Sequence, residues 1–466
     1  MSATAVRLPR PARTLPHGWA TGTGRLTAFA LRRDRITLPV TAAVLLAMVA
    51  ITYVSLRTAY GTEAERAALA ATVGVNTAFL ALLGPLVGTS LAAVTAWRIG
   101  LFMMVVLAVV VALAVVRHTR REEENGRLEP VRAARVGALA PLLAGLTVGV
   151  VTTAATSIGI VAIFLAAGAG GTALLVGAQY AGLGLATTGL AGLAAQIATT
   201  ARAATSTTVA LVVAGYAVRG VADVESGLSW AAWTTPVGWV QRIDPFGTAS
   251  AGPFWACLGL GLVLSGAAVV LSLGRDLGAG LVAPRPGPAG TTGLGSPWAL
   301  LTRLHGPGIG TWVASAGSYT LLVGLILPSA GELVGTSPQL AAALEALGGS
   351  GGISALMVSM VSGFVGIAAG AWTVTTGAAL VREETSGRLA QVLAGPVARG
   401  RSLGAMAALM AVGAAVIPVS AGLMLGLGHL ASGGTGASTL TDPLGAGLVQ
   451  VPAVLVVAGL VLALYG

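Results

Sequence analysis

Between Val136 and Ala201 the chain carries no Asp, Glu, Lys or Arg. About 20 apolar residues suffice to cross a bilayer, so this stretch alone holds two membrane spans. Across the chain only 9% of residues are charged, 55% are hydrophobic and the mean hydropathy is +0.87. Soluble domains do not have that balance. The expected fold class is an all-α polytopic membrane protein, because a helix closes its backbone hydrogen bonds within one segment.

Ten spans are expected, near 38–56, 99–116, 138–163, 173–196, 203–218, 252–273, 311–328, 354–380, 403–428 and 443–465. The apolar stretch 74–96 is interrupted by Gly84-Pro85 and is read as an interfacial segment on the outside. All 26 basic residues are Arg. With the N-terminus in the cytosol, 21 of them fall inside and only Arg57, Arg66, Arg98, Arg219 and Arg242 fall outside, as the positive-inside rule requires. The net charge of +10 is thus a record of topology, since the basic residues flank spans and form no single patch for nucleic acid.

Four segments follow: a cytosolic N-terminal tail over 1–36, disordered over Met1–Gly24; a first transmembrane half over 37–274; a Pro/Gly-rich cytosolic linker over 275–307; and a second half over 308–466. Met1–Gly24 lacks the apolar core of a cleavable signal peptide. Trp230, Trp233 and Trp239 surround Pro236 in an outer segment, which reads either as an interfacial or re-entrant pair of short helices or as a plain aromatic anchor.

The scarce charge is concentrated in an octet that occurs twice. It stands at Arg121–Leu128 (REEENGRL) and again, 261 residues later, at Arg382–Leu389 (REETSGRL), each time directly after an apolar span. Arg121, Glu122, Glu123, Gly126, Arg127 and Leu128 in the first copy match Arg382, Glu383, Glu384, Gly387, Arg388 and Leu389 in the second. Read as short helices, the copies place Glu123 with Arg127 and Glu384 with Arg388 at i, i+4. A glycine inside such a helix costs about 1 kcal/mol against Ala, so Gly126 and Gly387 imply a bend or a close backbone approach. Two matching charged elements on one membrane face suit a two-fold-symmetric soluble partner. A juxtamembrane anchor explains one copy but not the recurrence.

Several segments resemble ABC-2-type exporter permeases: RHTRREEENGRLEPVRAARVG (117–137) and LVREETSGRLAQVLAGPVARGR (380–401) resemble their coupling element. LRRDRITLP (31–39), LSWAAWTTPVGWVQRIDPF (228–246) and RDLGAGLVAPRPGPA (275–289) match other parts of the pattern. The closest resemblance is to the fused, double-length permeases of antibiotic and multidrug exporters. It implies two pseudo-symmetric, type V exporter-like halves of six spans each, so twelve spans where ten are visible, and two further spans to complete the second half. It also implies a separate ATPase, in two copies, docked on the octets and carrying the ATP and Mg. A re-entrant segment before the sixth span, a bacterial plasma-membrane location and export of a drug-like, apolar or amphipathic compound are further implications.

Other chemistry is poorly supported. A phosphate-binding loop of the G-x-x-x-x-G-K type needs a lysine, and the chain has none, so it is expected to hydrolyse no nucleotide and to be no enzyme. His17, His118, His305 and His429 are scattered without metal-ligand spacing and read as solvated or interfacial, so no metal or cofactor is expected on this chain. Ion-coupled transport, the main alternative beside a non-transporting scaffold, usually needs acids at membrane depth, and the expected spans contain essentially none. Glu332, Glu345 and Asp442 lie near outer span ends. Candidate pathway residues are Thr152, Thr153, Thr156, Gln179, Tyr180, Met104, Met357 and Met360. The competing reading of the hydroxyl residues is ordinary helix packing, with Gly145 and Gly149 allowing close approach.

Overall fold

The computed structural model describes residues 18–74, 77–276, 278, 280–281, 295–335 and 352–465. Arg7, Arg10, Arg13, His17, Arg285 and Glu345 lie outside them. The chain divides into two compact units, Met1–Arg285 and Pro286–Gly466. Among the described residues every regular element is helical, and nine helices are long and apolar enough to cross a membrane.

Six of the nine are in the first unit. They are α2 (Thr37–Ala59), the run Leu91–Glu124, α9 (Ala140–Ala166), α10 (Thr172–Ile197), α11 (Ala201–Val224) and α13 (Gly252–Gly274). Leu91–Glu124 is composite: α5 (Leu91–Thr95), one π-helical stretch (Ala96–Gly100), α6 (Leu101–His118) and α7 (Arg120–Glu124). The stretch 74–96 does not span. It forms the short α4 (Thr77–Leu83), breaks at Gly84-Pro85, and then enters α5 after Ser90, whose hydroxyl accepts the Ala93 N–H at 3.1 Å. Its last residues therefore belong to the second span.

In lipid the neighbouring tails are as apolar as leucine, so helices associate through close van der Waals contact rather than through burial of oily surface. The sequence supplies small residues where that contact occurs. An added Cβ on Gly145 would stand 2.4 Å from the Thr119 methyl, and one on Gly149 would meet Val115 at 2.7 Å. These contacts seat α9 against α6, and Leu107, Val111, Val115, Leu142, Leu146, Ile160 and Leu183 close the core. Large apolar side chains such as Ile158, Leu174, Val263 and Val270 point out of the unit, as a lipid-facing surface requires.

The tail departs from expectation over Gly18–Gly24. Instead of being disordered, this stretch accepts the Leu139 N–H on the Trp19 carbonyl (3.1 Å) and the Gly137 N–H on that of Thr21 (2.8 Å). It leads into α1 (Thr23–Arg33), a helix with one apolar side that packs with Ala30 on Ala114 and Val148. Three more of the nine helices are in the second unit: α15 (Gly352–Thr385), α17 (Arg399–Ala431) and α18 (Ser438–Tyr465). The span expected at 311–328 falls inside α14 (Pro297–Gly335), whose 39 residues extend about 58 Å. Trp372, Ala369, Ala414, Ile417 and Val454 form one core cluster of this unit, and Leu380, Met406, Leu409, Met410 and Ala458 form another.

A substitution pair tests the packing account. An added Cβ on Gly261 of α13 would sit 2.6 Å from the Leu185 carbonyl oxygen, whereas one on Gly266 meets nothing within 4 Å. Gly261→Val should cost about 1–3 kcal/mol by denaturant unfolding in detergent, while Gly266→Val should be close to neutral. Equal effects would contradict the account.

Candidate functional site

The two octets adopt one local geometry. Gly126 and Gly387 both take the left-handed conformation, with φ of +71° and +74°. A Cβ added to either would meet nothing within 4 Å, so the bend, not a close approach, explains the glycine. The turn ends the preceding helix and starts a new one, α8 (Leu128–Ala133) in the first copy and α16 (Arg388–Leu393) in the second. It also moves the ion pair. The i, i+4 pairs Glu123–Arg127 and Glu384–Arg388 do not form. Arg127 reaches Glu122 at 3.4 Å and Arg388 reaches Glu383 at 2.7 Å, both at i, i+5, because unwinding at the glycine adds one residue to the return path. In the first copy Glu122 and Glu123 stand in the first turn of the five-residue α7, whereas in the second Glu383 and Glu384 lie in the last turns of α15.

Beyond the turn the copies differ sharply. Glu123, 5% exposed, takes a bidentate pair from Arg275 at 2.6 and 2.7 Å, a bond from Arg120 at 3.0 Å and the Gly278 N–H at 2.7 Å. Such fork-to-fork pairs are among the strongest polar contacts. Arg120, itself 1% exposed, also donates to the carbonyls of Thr199 (2.7 Å) and Gly278 (3.1 Å). Arg275 donates to Gln196 Oε1 at 2.8 Å. Glu124 accepts the Ala201 N–H at 2.9 Å, and Glu122 accepts Arg33 at 2.6 Å. The first octet therefore ties together α1, α6 and the ends of α10, α11 and α13.

In the second copy Glu384 is 45% exposed and meets Arg399, 68% exposed, at 2.7 Å. The place of Arg120 is taken by Val381. Arg121 and Arg382, and Gly126 and Gly387, lie exposed in both copies, while Leu128 and Leu389 are half-buried.

Two buried ionic groups were not visible at the sequence level. His118 is not solvated: its Nε2 lies 2.7 Å from Asp34, which also accepts Arg117 at 2.8 Å. Asp34 ends α1, so the pair joins that helix to the octet. At the opposite end of the unit α11 runs six residues past the expected span end of 218. It carries Arg219, fully buried, and Asp223, paired at 3.0 Å, so an acid does lie within a spanning helix. Arg219 also donates to the carbonyls of Ala81 and Leu82 at 2.8 and 2.9 Å. Arg66, at the same end, donates to the Thr89 carbonyl at 2.6 Å.

The candidate pathway residues scatter. Thr152 and Thr156 are buried and bond to the carbonyls of their own helix, and Thr153 packs on Gly184. Tyr180 is fully buried in the core, Met357 is half-buried and Met360 is exposed. Gln179 donates to the Val240 carbonyl at 2.9 Å and lines a cavity with Met104. Trp230 and Trp233 are exposed on a 3-10 segment (Ser226–Thr234), followed by α12 (Pro236–Gln241), which Thr235 caps through Gly238 N–H at 3.1 Å. Trp239 donates its indole N–H to the Trp233 carbonyl, closing the two short helices on each other. Among the described residues no group of three or more His, Cys, Asp or Glu is placed to hold a metal.

A profile of the family described as the C-terminal domain of the multidrug efflux system permease Rv1217c matches residues 294–466. Over its full length the chain is 33% identical to the multidrug efflux system permease protein Rv1217c of Mycobacterium tuberculosis, and the match covers 86% of that protein.

The unequal burial of equivalent acids gives a direct test. Removing one partner of a buried ion cluster costs about 3–5 kcal/mol, whereas an exposed pair is worth about 0–1 kcal/mol. Glu123→Gln should lower unfolding stability in detergent by several kcal/mol and Glu384→Gln should barely change it. The reverse ranking would contradict the structural role of Glu123.

Proposed function

The chain belongs to the family of multidrug efflux system permeases, and from that premise we propose that it is the membrane subunit of an ATP-driven exporter. A separate ATPase, one copy per octet, would dock on the charged elements and carry the ATP and Mg. Its closure would draw the two elements together and switch the permease between inward- and outward-open states. ATP binding must favour one of those states for the coupling to work. The exported compound is apolar or amphipathic, in keeping with an interior in which charge is scarce. The membrane is the bacterial plasma membrane, with the N-terminus in the cytosol.

The observation that carries this reading is the shared turn. Two sites 261 residues apart present the same glycine bend, the same i, i+5 Arg–Glu pair and an exposed arginine at the same position. The burial pattern narrows the docking surface to Arg121, Arg127, Arg382, Glu384 and Arg388. Glu123 instead braces the first element from behind, so a force applied to that element reaches α10, α11 and α13 directly. Ion coupling is not favoured, because the acid within a spanning helix, Asp223, is already engaged by Arg219 and Gln241.

Charge reversal at the exposed positions tests the docking. Arg121→Glu combined with Arg382→Glu should lower substrate-stimulated ATPase activity of the reconstituted exporter by about tenfold or more, equivalent to about 1.4 kcal/mol or more of coupling. Membrane insertion and unfolding stability should be unchanged. Full ATPase stimulation in the double variant would rule the octets out as the docking sites.

A further inference from the structure

The short helix α1 stands at the octet end of the first unit, and two of its sides differ. Leu26, Ala30 and Arg33, spaced i, i+4 and i+7, share one side. Ala30 is buried in a cluster with Ala114 of α6 and Val148 of α9, and Arg33 reaches Glu122 at 2.6 Å. Ala114 and Val148 belong to membrane-spanning helices, so α1 runs beside the spans rather than away from them.

Arg25, Phe29 and Arg32 have the same spacing and share the adjoining side, and all three are exposed. Only Asp34, Arg35 and Ile36 separate α1 from α2. Of these, Arg35 and Ile36 are also exposed. Ile36 continues at i+4 and i+8 into Val40 and Val44 of α2, which are exposed too, as lipid-facing residues of a span are. The outer side of α1 therefore meets the bilayer where the lipid-facing stripe of α2 begins.

The charge on that side is not answered within the protein. Asp34 is engaged by Arg117 and His118, and Glu122 by Arg33 and Arg127. Among the described residues Arg25, Arg32 and Arg35 have no ion pair and no side-chain hydrogen bond. Exposed arginines interleaved with exposed Phe29 and Ile36 fit a surface that is both anionic and apolar. A bilayer with anionic headgroups supplies both, whereas a soluble acidic partner supplies only the charge. Helices with arginine and an aromatic residue exposed together lie in that boundary, and the long arginine stems let the charge reach the phosphates.

We propose that α1 and the junction to α2 bind anionic phospholipid headgroups of the adjoining leaflet through Arg25, Arg32 and Arg35. Arg33 on Glu122 and Asp34 on His118 tie the same segment to the helix that leads into the first octet, so the lipid contact also steadies that octet. The inference rests on these exposed groups and not on ATP coupling, so its failure would leave the exporter reading in place.

The test uses the full chain in nanodiscs of phosphatidylcholine. Ala28→Cys, at an exposed position of α1, carries a bimane label, since the native Cys257 is buried. The discs are doped with phosphatidylglycerol or phosphatidylcholine bearing the same nitroxide quencher. Each arginine beside an anionic surface is worth about fivefold in affinity. Phosphatidylglycerol should therefore reach equal quenching at a mole fraction about tenfold or more below that of phosphatidylcholine. Raising the salt concentration should shrink that preference. Arg25→Gln, Arg32→Gln and Arg35→Gln together should abolish it, and the three corresponding Arg→Lys substitutions should keep most of it. All three side chains are exposed, so neither variant removes a core contact. A label on Val263→Cys, at a lipid-facing position of α13, should show no preference. Equal quenching by the two lipids at position 28 would overturn the proposal and leave the arginines to a soluble acidic partner. A preference that survives the Gln substitutions, or that appears equally at position 263, would also overturn it.

Discussion

A charge inside a bilayer has no water to fall back on, so the protein itself must answer it. That requirement governs every ionic group buried in the first unit. Asp34 is answered by Arg117 and His118, Glu123 by Arg120 and Arg275, and Asp223 by Arg219 and Gln241. Each cluster joins elements far apart in sequence and each stands at a helix end. The clusters therefore fix how the helix ends are held relative to one another, while the glycine-lined contacts in the middle set how closely the helices pass.

This arrangement gives the two octets different mechanical characters. The first is welded into the unit through Glu123 and through Glu124 on the first N–H of α11. The second is a more open element whose acids meet the exposed arginines Arg388 and Arg399. In the exporter reading, one handle transmits force through a stiff network and the other through the helix it terminates. In that reading the two elements share an exposed surface without sharing the structure behind it.

Much of the fold was legible because its signals are local. All six first-half spans follow from apolar length. Gly126 and Gly387 announced a bend, but its consequence for pairing was missed, since a helical register was carried through a residue that leaves the helix. The partners of Glu123 were illegible because Arg275 lies 152 residues away. One signal was available: the octets match, yet Arg120 precedes one and Val381 the other. Arg219 and Asp223 were hidden because a polar helix end resembles a loop in sequence, and its burial is made tolerable by their own ion pair and by the carbonyls of Ala81 and Leu82. The pathway threonines failed to converge because hydroxyls at helical spacing bond their own backbone as readily as a substrate.

The account depends on both octets facing the same aqueous compartment, opposite the Trp-rich segment. The chain has a single cysteine, Cys257, which is buried, so introduced thiols report cleanly. Asn125→Cys, Ser386→Cys and Ser229→Cys should be labelled by a membrane-impermeant maleimide in sealed vesicles of known orientation. The account predicts that the thiols at 125 and 386 react only in inverted vesicles and the one at 229 only in right-side-out vesicles. Labelling of 125 and 386 from opposite sides, or of both from the outside, would contradict it.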